Sequence, residues 1–179
     1  MQRTKLRFET IQQIMGAESL SVILLTDEER RRVLSVVCDE LATRQILMRL
    51  NAPHHCTTLL PEVLLQMLTT EHEMIIYGLH DGQYQVVLAD RDYEHSARIR
   101  LSDAVLLSLI APGIPLYIEE RLMERQSVDF DEHATGIAIP INTMSRRHLT
   151  EAMQRAVDAE NYELASQLRD EIKRRDNAE

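Results

Sequence analysis

Alternating apolar and polar positions recur along the first two thirds of the chain and predict short β-strands. Two of these runs flank a charged stretch, which predicts a hairpin with a solvated turn at residues 27–32. Two later runs flank Asp81-Gly82, a dipeptide typical of a tight hairpin turn. The predicted strands lie within residues 5–11, 20–25, 33–37, 74–101 and 114–118.

Helical periodicity predicts short helices between these strands. Asp39 is placed to cap a helix that starts at residue 40, and Pro61 marks the start of a second helix. A third helix is predicted over residues 102–110, and one or two further turns over residues 119–125. The apolar face of the first helix is predicted from Leu41, Ile46, Met48 and Leu50.

Beyond residue 126 the pattern changes. Residues 127–145 lose their periodicity and predict a linker, with one apolar patch at residues 136–141. Residues 146–179 predict two amphipathic helices joined by a short turn, which makes an antiparallel helical hairpin. Its inward face is predicted from Leu149, Met153, Ala156, Val157, Leu164, Ala165, Leu168 and Ile172. We therefore predict an α+β domain over residues 1–126, with a mixed or antiparallel sheet covered by short helices, followed by this hairpin.

The composition and net charge of the chain exclude several classes of protein. The 179-residue chain has 44% hydrophobic and 27% charged residues, which excludes a wholly disordered protein. Its net charge of −9 argues against strong sequence-independent binding to nucleic acid, and none of the three predicted segments is basic. Only two cysteines and no apolar run of about 18 residues predict a cytoplasmic protein without a membrane span.

Two clusters are candidates for chemistry. His54, His55 and Cys56 have metal-binding side chains, but adjacent side chains rarely converge on one ion, so we interpret them as a loop. Arg98 and Arg100 alternate on one strand face just before the third helix, whose free N–H groups favour anions. This is a plausible phosphate site.

The alternative for the second cluster is purely structural. Ser102 or Asp103 would cap the third helix, and one of the arginines would pair with Asp103 or Asp90. A cap and a site are compatible, because a strand-to-helix junction lies at the rim of a sheet. The sequence leaves both interpretations open.

The stretch GLHDGQYQVVL, followed by RIRLSDAVLLSLIAPGIPLYIEERL, resembles the bifunctional nuclease (BFN) domain family. Members of this family carry an Asp-Gly hairpin and then an Arg-Pro-Ser-Asp-Ala segment that leads into a short apolar helix. The resemblance spans residues 5–126 and is most specific in the second half of that range. It places the family segment on residues 100–104, with Leu101 instead of proline, and the Asp-Gly on Asp81 and Gly82.

The resemblance implies a nuclease-like protein that hydrolyses phosphodiester bonds in RNA or DNA. Such cleavage needs a base and charge stabilisation by arginines or a metal ion. Our hypothesis assigns Arg98 and Arg100 to the phosphate and places Ser102 beside them in the catalytic site. Asp103 would bind a divalent metal such as Mg²⁺ or act as the base, and Asp81 would join only if the fold brings its turn near.

The chain departs from the family pattern upstream of this region. Many members have Glu-Ala at the start of the first helix and Thr-His-Asp ahead of the second, where this chain has Ala42-Thr43 and Thr58-Leu59-Leu60. Potentially catalytic polar positions of the family pattern are thus apolar at Ala42, Leu59 and Leu60. The alternative function is therefore a non-catalytic scaffold that oligomerises through the BFN-like domain and binds a protein through the hairpin.

The C-terminal stretch LTEAMQRAVDAENYELASQLRDEIKRR resembles the UVR motif, a helical hairpin of excision-repair proteins and some protein-quality-control factors. The residues on its pattern are Leu149, Met153, Ala156, Tyr162, Glu163, Ala165, Leu168, Arg169, Asp170 and Ile172. The combined BFN and UVR resemblance implies a homo-oligomer. Because a hairpin of two short helices buries too little surface to be stable alone, residues 146–179 are expected to dock on the chain's own first domain, on a second copy or on a protein partner. The predicted partner-binding residues are Tyr162, Glu163, Leu168, Arg169 and Asp170; for the last two, pairing on the helix surface is the alternative.

Overall fold

Eight strands of the described residues form one mixed sheet, and the predicted α+β class is confirmed. The computed structural model of the chain describes residues 2–14, 20–68, 71–133 and 140–177. The strand order in the sheet is β6-β5-β4-β7-β1-β2-β3-β8, and β4 runs parallel to β7. The strands are β1 (Arg3–Gln13), β2 (Leu20–Asp27), β3 (Arg32–Asp39), β4 (His72–His80), β5 (Gln83–Asp90), β6 (Ser96–Ile99), β7 (Leu116–Glu119) and β8 (Ser127–Asp129).

The described residues form six α-helices. They are α1 (Glu40–Asn51), α2 (Leu60–Met67), α3 (Leu101–Ile110), α4 (Glu120–Gln126), α5 (Arg146–Asp158) and α6 (Tyr162–Asp176). Consecutive residues of β2 and β3 are buried, so both faces of this part of the sheet are covered. Within the described part of the chain, no helix combines the length and apolar character that crossing a membrane requires.

Both predicted hairpin turns are confirmed. The Asp27 carboxylate accepts hydrogen bonds from the backbone N–H groups of Arg31 and Arg32, at 2.7 and 3.0 Å, and so closes the turn between β2 and β3. Between β4 and β5, Asp81 and Gly82 have φ values of 47° and 74°. Two consecutive positive φ values are the geometry that a two-residue hairpin turn of type I′ requires.

Helix α1 is capped as predicted but faces the core differently. The Asp39 side chain accepts from the Ala42 N–H at 2.8 Å. The buried residues of α1 are Ala42, Ile46 and Arg49, whereas Leu41 and Leu50 are exposed. The predicted face is therefore confirmed for Ile46, which is buried, and was wrong for Leu41 and Leu50, because the buried face also takes in Arg49.

The sheet continues past residue 126. Ser127–Asp129 form β8, which pairs antiparallel with β3, so the first residues of the predicted linker belong to the sheet. Three residues are too few to produce a recognisable alternating pattern. Residues 136–139 of the predicted apolar patch lie outside the described residues, while Ile141 packs against the C-terminal helices.

The chain divides into two compact units, Met1–Gly78 with Tyr84–Ala138, and Leu79–Gln83 with Ile139–Glu179. In the second unit α5 and α6 form the predicted hairpin. Its core consists of Leu149, Ala156, Ala165 and Leu168, with Ile141, Met144, Ala152, Met153 and Ile172 packed against them. Two residues predicted to face inward, Val157 and Leu164, are exposed.

Candidate functional site

The start of α3 lacks a side-chain cap. The N-cap residue is Arg100, with φ −73° and ψ 150°, and neither Ser102 nor Asp103 caps the helix. The prediction that one of these two residues caps α3 was therefore wrong. The Asp103 and Ala104 N–H groups donate to the Arg100 carbonyl, at 3.1 and 3.0 Å, so the N–H groups of Leu101 and Ser102 are those that remain for an anion.

Asp103 uses its carboxylate to hold Arg100. The Arg100 Nε donates to one carboxylate oxygen at 2.8 Å and Nη2 to the other at 2.9 Å. This confirms the predicted pairing of an arginine with Asp103. Hydrogen bonding to Asp103, and then the charge of that carboxylate, raise the pKa of Arg100, and the Asp39 carboxylate adds to the effect.

The Arg100–Asp103 pair leaves donors for a ligand. A guanidinium has five N–H donors, and the pair with Asp103 uses one on Nε and one on Nη2. Both residues are largely solvent-accessible, with 62% of the Arg100 side chain and 43% of the Asp103 side chain exposed. The remaining Arg100 donors can therefore bind a phosphate oxygen without breaking the pair.

Arg98 lies on the edge strand β6, with its backbone opposite Val87. Its side chain is exposed, Ile99 is half-buried, Arg100 is exposed and Leu101 is buried, as strand alternation predicts. Among the described residues no ion pair or side-chain hydrogen bond engages Arg98. The two arginines therefore bring positive charge to the same end of α3.

A pocket of about 140 Å³ adjoins this helix start. Arg100, Ser102 and Asp103 supply its polar side, and Gln45 of α1 adds an amide. The apolar lining comes from Leu41, Ala42, Ile46 and Leu106. The pocket thus brings together three of the four predicted catalytic residues.

Ala42 is the informative member of the lining. The resemblance implies a glutamate at this position, and here a methyl group lines the same pocket as Asp103. The neighbouring carboxylate, Asp39, is occupied by capping α1. The pocket therefore holds one carboxylate, Asp103, where the family pattern implies two.

The donor set does not fit a resident divalent cation. Magnesium prefers several oxygen ligands, and the single pocket carboxylate is already paired with a guanidinium. No group of three or more His, Cys, Asp or Glu side chains among the described residues could hold a metal ion. This includes the predicted loop of His54, His55 and Cys56, where the two histidine rings meet edge to face and Cys56 is buried.

Asp81 is not part of the pocket lining. It belongs to the second unit, where its carboxylate accepts a hydrogen bond from Arg175 Nη1 at 3.3 Å. Arg175 is buried and also donates to the carbonyls of Asn142 and Met144 and to Glu171. Sequence reasoning missed this arginine, because a basic residue near a helix C-terminus ordinarily interacts with solvent or with the helix dipole.

Four of the predicted partner-binding residues lie on the surface of the hairpin. Tyr162, Glu163, Arg169 and Asp170 are exposed, and Arg169 pairs with Asp170 at 3.1 Å. Leu168 is only 2% exposed and belongs to the hairpin core, so it can support a partner only by holding the two helices together. Asp170 also lines an open groove of about 470 Å³ with Ile141, Asn142, Gln167, Glu171 and Arg174.

Comparison with protein-family models identifies both parts of the chain. A model described as the bifunctional nuclease domain matches residues 22–131, and a model described as the UvrB/uvrC motif matches residues 145–176. The first match contains α1, α3 and the pocket between them, and the second contains the helical hairpin. A comparison with curated proteins found no match.

Proposed function

Because the chain belongs to the bifunctional nuclease domain family, we propose that its α1–α3 pocket binds a phosphodiester of RNA or DNA and hydrolyses it. One observation carries this proposal. The pocket combines Arg100, Ser102 and Asp103 at an uncapped helix start, next to the exposed Arg98. Arginine forks and unsatisfied helix N–H groups are the donors that phosphate oxygens prefer.

In this proposal each side chain has a defined task. Arg98 and the unused donors of Arg100 bind the non-bridging phosphate oxygens and stabilise the charge that builds up during attack. Asp103, oriented by Arg100, accepts the proton of the attacking water as the water oxygen bonds to phosphorus. The phosphorus–oxygen bond to the leaving sugar oxygen breaks and that oxygen takes a proton from solvent water, while the Ser102 hydroxyl donates to a non-bridging phosphate oxygen. Local arginines supply the attraction that the overall charge of −9 does not.

Cleavage of labelled single-stranded RNA and DNA tests the proposal. The assay is run with Mg²⁺, with Mn²⁺ and with a chelator, so that any metal delivered with the substrate is detected. Asp103→Asn keeps the size of the side chain but removes the base, and we expect the rate to fall about 100-fold or more. Cleavage at an unchanged rate in this variant would remove Asp103 from the mechanism.

A non-catalytic scaffold is the second candidate function, and Ala42 favours it. The pocket lacks the second carboxylate that the resemblance implies, so ligand binding without cleavage is chemically reasonable. Ala42→Glu separates the two functions. If cleavage appears only in this variant, the wild-type pocket binds without cutting, whereas cleavage by the wild-type chain excludes the scaffold role.

We propose that the UVR-type hairpin binds a protein partner through its exposed residues rather than through Leu168. The support is that Tyr162, the first residue of α6, is 67% exposed and is followed directly by the exposed Glu163. Pull-down with the full chain should lose its partner in Tyr162→Ala and keep it in Val157→Ala, an exposed control on α5.

We further propose that the protein is cytoplasmic. The support is that Cys38 and Cys56 are both buried and form no disulfide.

A further inference from the structure

The α1–α3 pocket has an apolar wall in addition to its charged residues. Ala42, Ile46 and Leu106 are buried and line the pocket together with the exposed Leu41. A phosphate group is charged and hydrated, so it gains nothing from such a wall, whereas a ring of carbon and nitrogen atoms does. Arg100 therefore accounts for the binding of a phosphate but leaves the apolar side of the pocket without an occupant.

The volume of the pocket matches that of one six-membered ring. It is about 140 Å³, close to the roughly 150 Å³ of an apolar cavity that holds a benzene molecule. A pyrimidine base is a single ring of this size, whereas a purine carries a second, fused ring. The pocket thus accommodates a pyrimidine and lacks the room that a purine needs.

Gln45 offers hydrogen-bond donors to this pocket. Arg49 Nη1 donates to the Gln45 side-chain oxygen at 2.8 Å and to its backbone carbonyl at 3.1 Å. A guanidinium has donors only, so the amide oxygen has to face Arg49 and the NH₂ group is left for the pocket. No acceptor among the described residues engages this NH₂ group.

Arg49 keeps the Gln45 amide in this orientation. It is buried, and both carboxylate oxygens of Glu62 accept from it, at 2.7 and 3.0 Å. A side chain fixed in this way holds its neighbour in one rotamer, which is how a site is given a defined polarity. Arg49 is therefore a positioning residue that acts through Gln45.

Given the proposed phosphodiester function, on which this inference rests, we propose that the pocket binds a pyrimidine base next to the phosphate on Arg100. The Gln45 NH₂ group donates to a carbonyl oxygen of the ring, an acceptor that both uracil and cytosine carry. Ala42, Ile46 and Leu106 supply the apolar contact. A base reaches such a pocket only when it is unstacked and unpaired, so the substrate class is a pyrimidine-containing single strand.

Fluorescence anisotropy with labelled oligomers of uridine, cytidine or adenosine tests the proposal. The oligomers have equal length and phosphorothioate linkages, which resist hydrolysis, so that binding is measured apart from cleavage. We expect the wild-type chain to bind the uridine and cytidine oligomers about tenfold more tightly than the adenosine oligomer, the combined effect of one buried ring and one hydrogen bond.

Two variants separate the pocket from general affinity. Gln45→Glu keeps the shape of the side chain and its contact with Arg49 but replaces the donor by a carboxylate oxygen, and it should remove most of the preference for uridine over adenosine. Ala42→Val narrows the pocket and should have the same effect. The matched control is Gln12→Glu, the same change of charge at an exposed position of β1 outside this lining, which should keep the preference.

Each result bears on one of the two proposals. Equal affinity of the wild-type chain for the three oligomers, or a uridine preference that survives in either pocket variant, would overturn the base assignment and leave the phosphate site in place. Absence of binding to every oligomer would overturn both. The expected preference without cleavage of the matching phosphodiester strands would support the base assignment and contradict hydrolysis, so the two failures are distinguishable.

Discussion

The buried pair Arg49–Glu62 offers a quantitative test of how α1 and α2 are held together. Only 3% of the Arg49 side chain and 14% of the Glu62 side chain are exposed. Arg49 also donates through Nη1 to the backbone carbonyl and the side-chain oxygen of Gln45, at 3.1 and 2.8 Å. We predict that Glu62→Ala lowers the free energy of unfolding by about 3 kcal/mol, the lower part of the range for breaking a buried pair.

The predicted magnitude follows from what the substitution leaves behind. Arg49 remains buried with a full charge and retains only the neutral acceptors of Gln45. The loss stays near the lower end of the range because these acceptors and the partial exposure of Glu62 solvate the guanidinium. Replacing both partners, as Arg49→Met with Glu62→Leu, removes the stranded charge and should bring the stability back to within about 1 kcal/mol of the wild-type chain.

Urea unfolding at a fixed protein concentration, followed by circular dichroism, measures these differences. The control is Glu40→Ala, which breaks the exposed pair with Arg44 on the same helix and should cost about 0.5 kcal/mol. Equal losses for Glu62→Ala and Glu40→Ala would refute the reasoning. So would a double variant that is as unstable as Glu62→Ala.

Three further predictions concern the hairpin and the core. Leu168→Ala should lower the free energy of unfolding of the hairpin by about 2 to 5 kcal/mol, measured by thermal unfolding, since it removes a fully packed side chain. Hydrogen bonds from Arg174 and then Arg175 lower the pKa of Glu171 below that of a free glutamate. The stabilisation from this carboxylate is therefore present above the pKa of the unfolded chain and is lost as the pH falls through the lowered pKa. Glu171→Gln should abolish this part of the acid dependence, and an NMR titration reads the pKa directly. Burial raises the pKa of the Cys38 thiol, so a thiol reagent at mildly alkaline pH should label Cys38 far more slowly in the native chain than in the unfolded chain.

Features set by neighbouring residues could be predicted from the sequence. The Asp39 cap and the Asp81-Gly82 turn depend on hydrogen bonds and dihedral angles within a few residues, and both occur as predicted. The pairing of Arg100 with Asp103 is likewise local, because the two residues lie one helical turn apart. The α+β architecture follows from the sum of such local signals.

Features set by distant residues could not be predicted. The inward face of α1 depends on Glu62, which lies on another helix and makes burial of Arg49 favourable. The strand β8 exists only because β3 offers it a partner, and Arg175 is buried because acceptors from three separate segments surround it. The pocket could not be predicted for the same reason, because its lining residues on α1 and α3 are about sixty residues apart in the sequence.

The central claim is that the start of α3 binds the phosphate of a nucleic acid. Binding and cleavage of a labelled single-stranded oligonucleotide by Arg100→Ala test it most directly, with Arg91→Ala as control because Arg91 forms an exposed pair with Glu71 elsewhere in the same unit. We expect Arg100→Ala to weaken binding about tenfold or more and to slow cleavage further, whereas Arg91→Ala behaves like the wild-type chain. Equal behaviour of the two variants would contradict the assignment of the site.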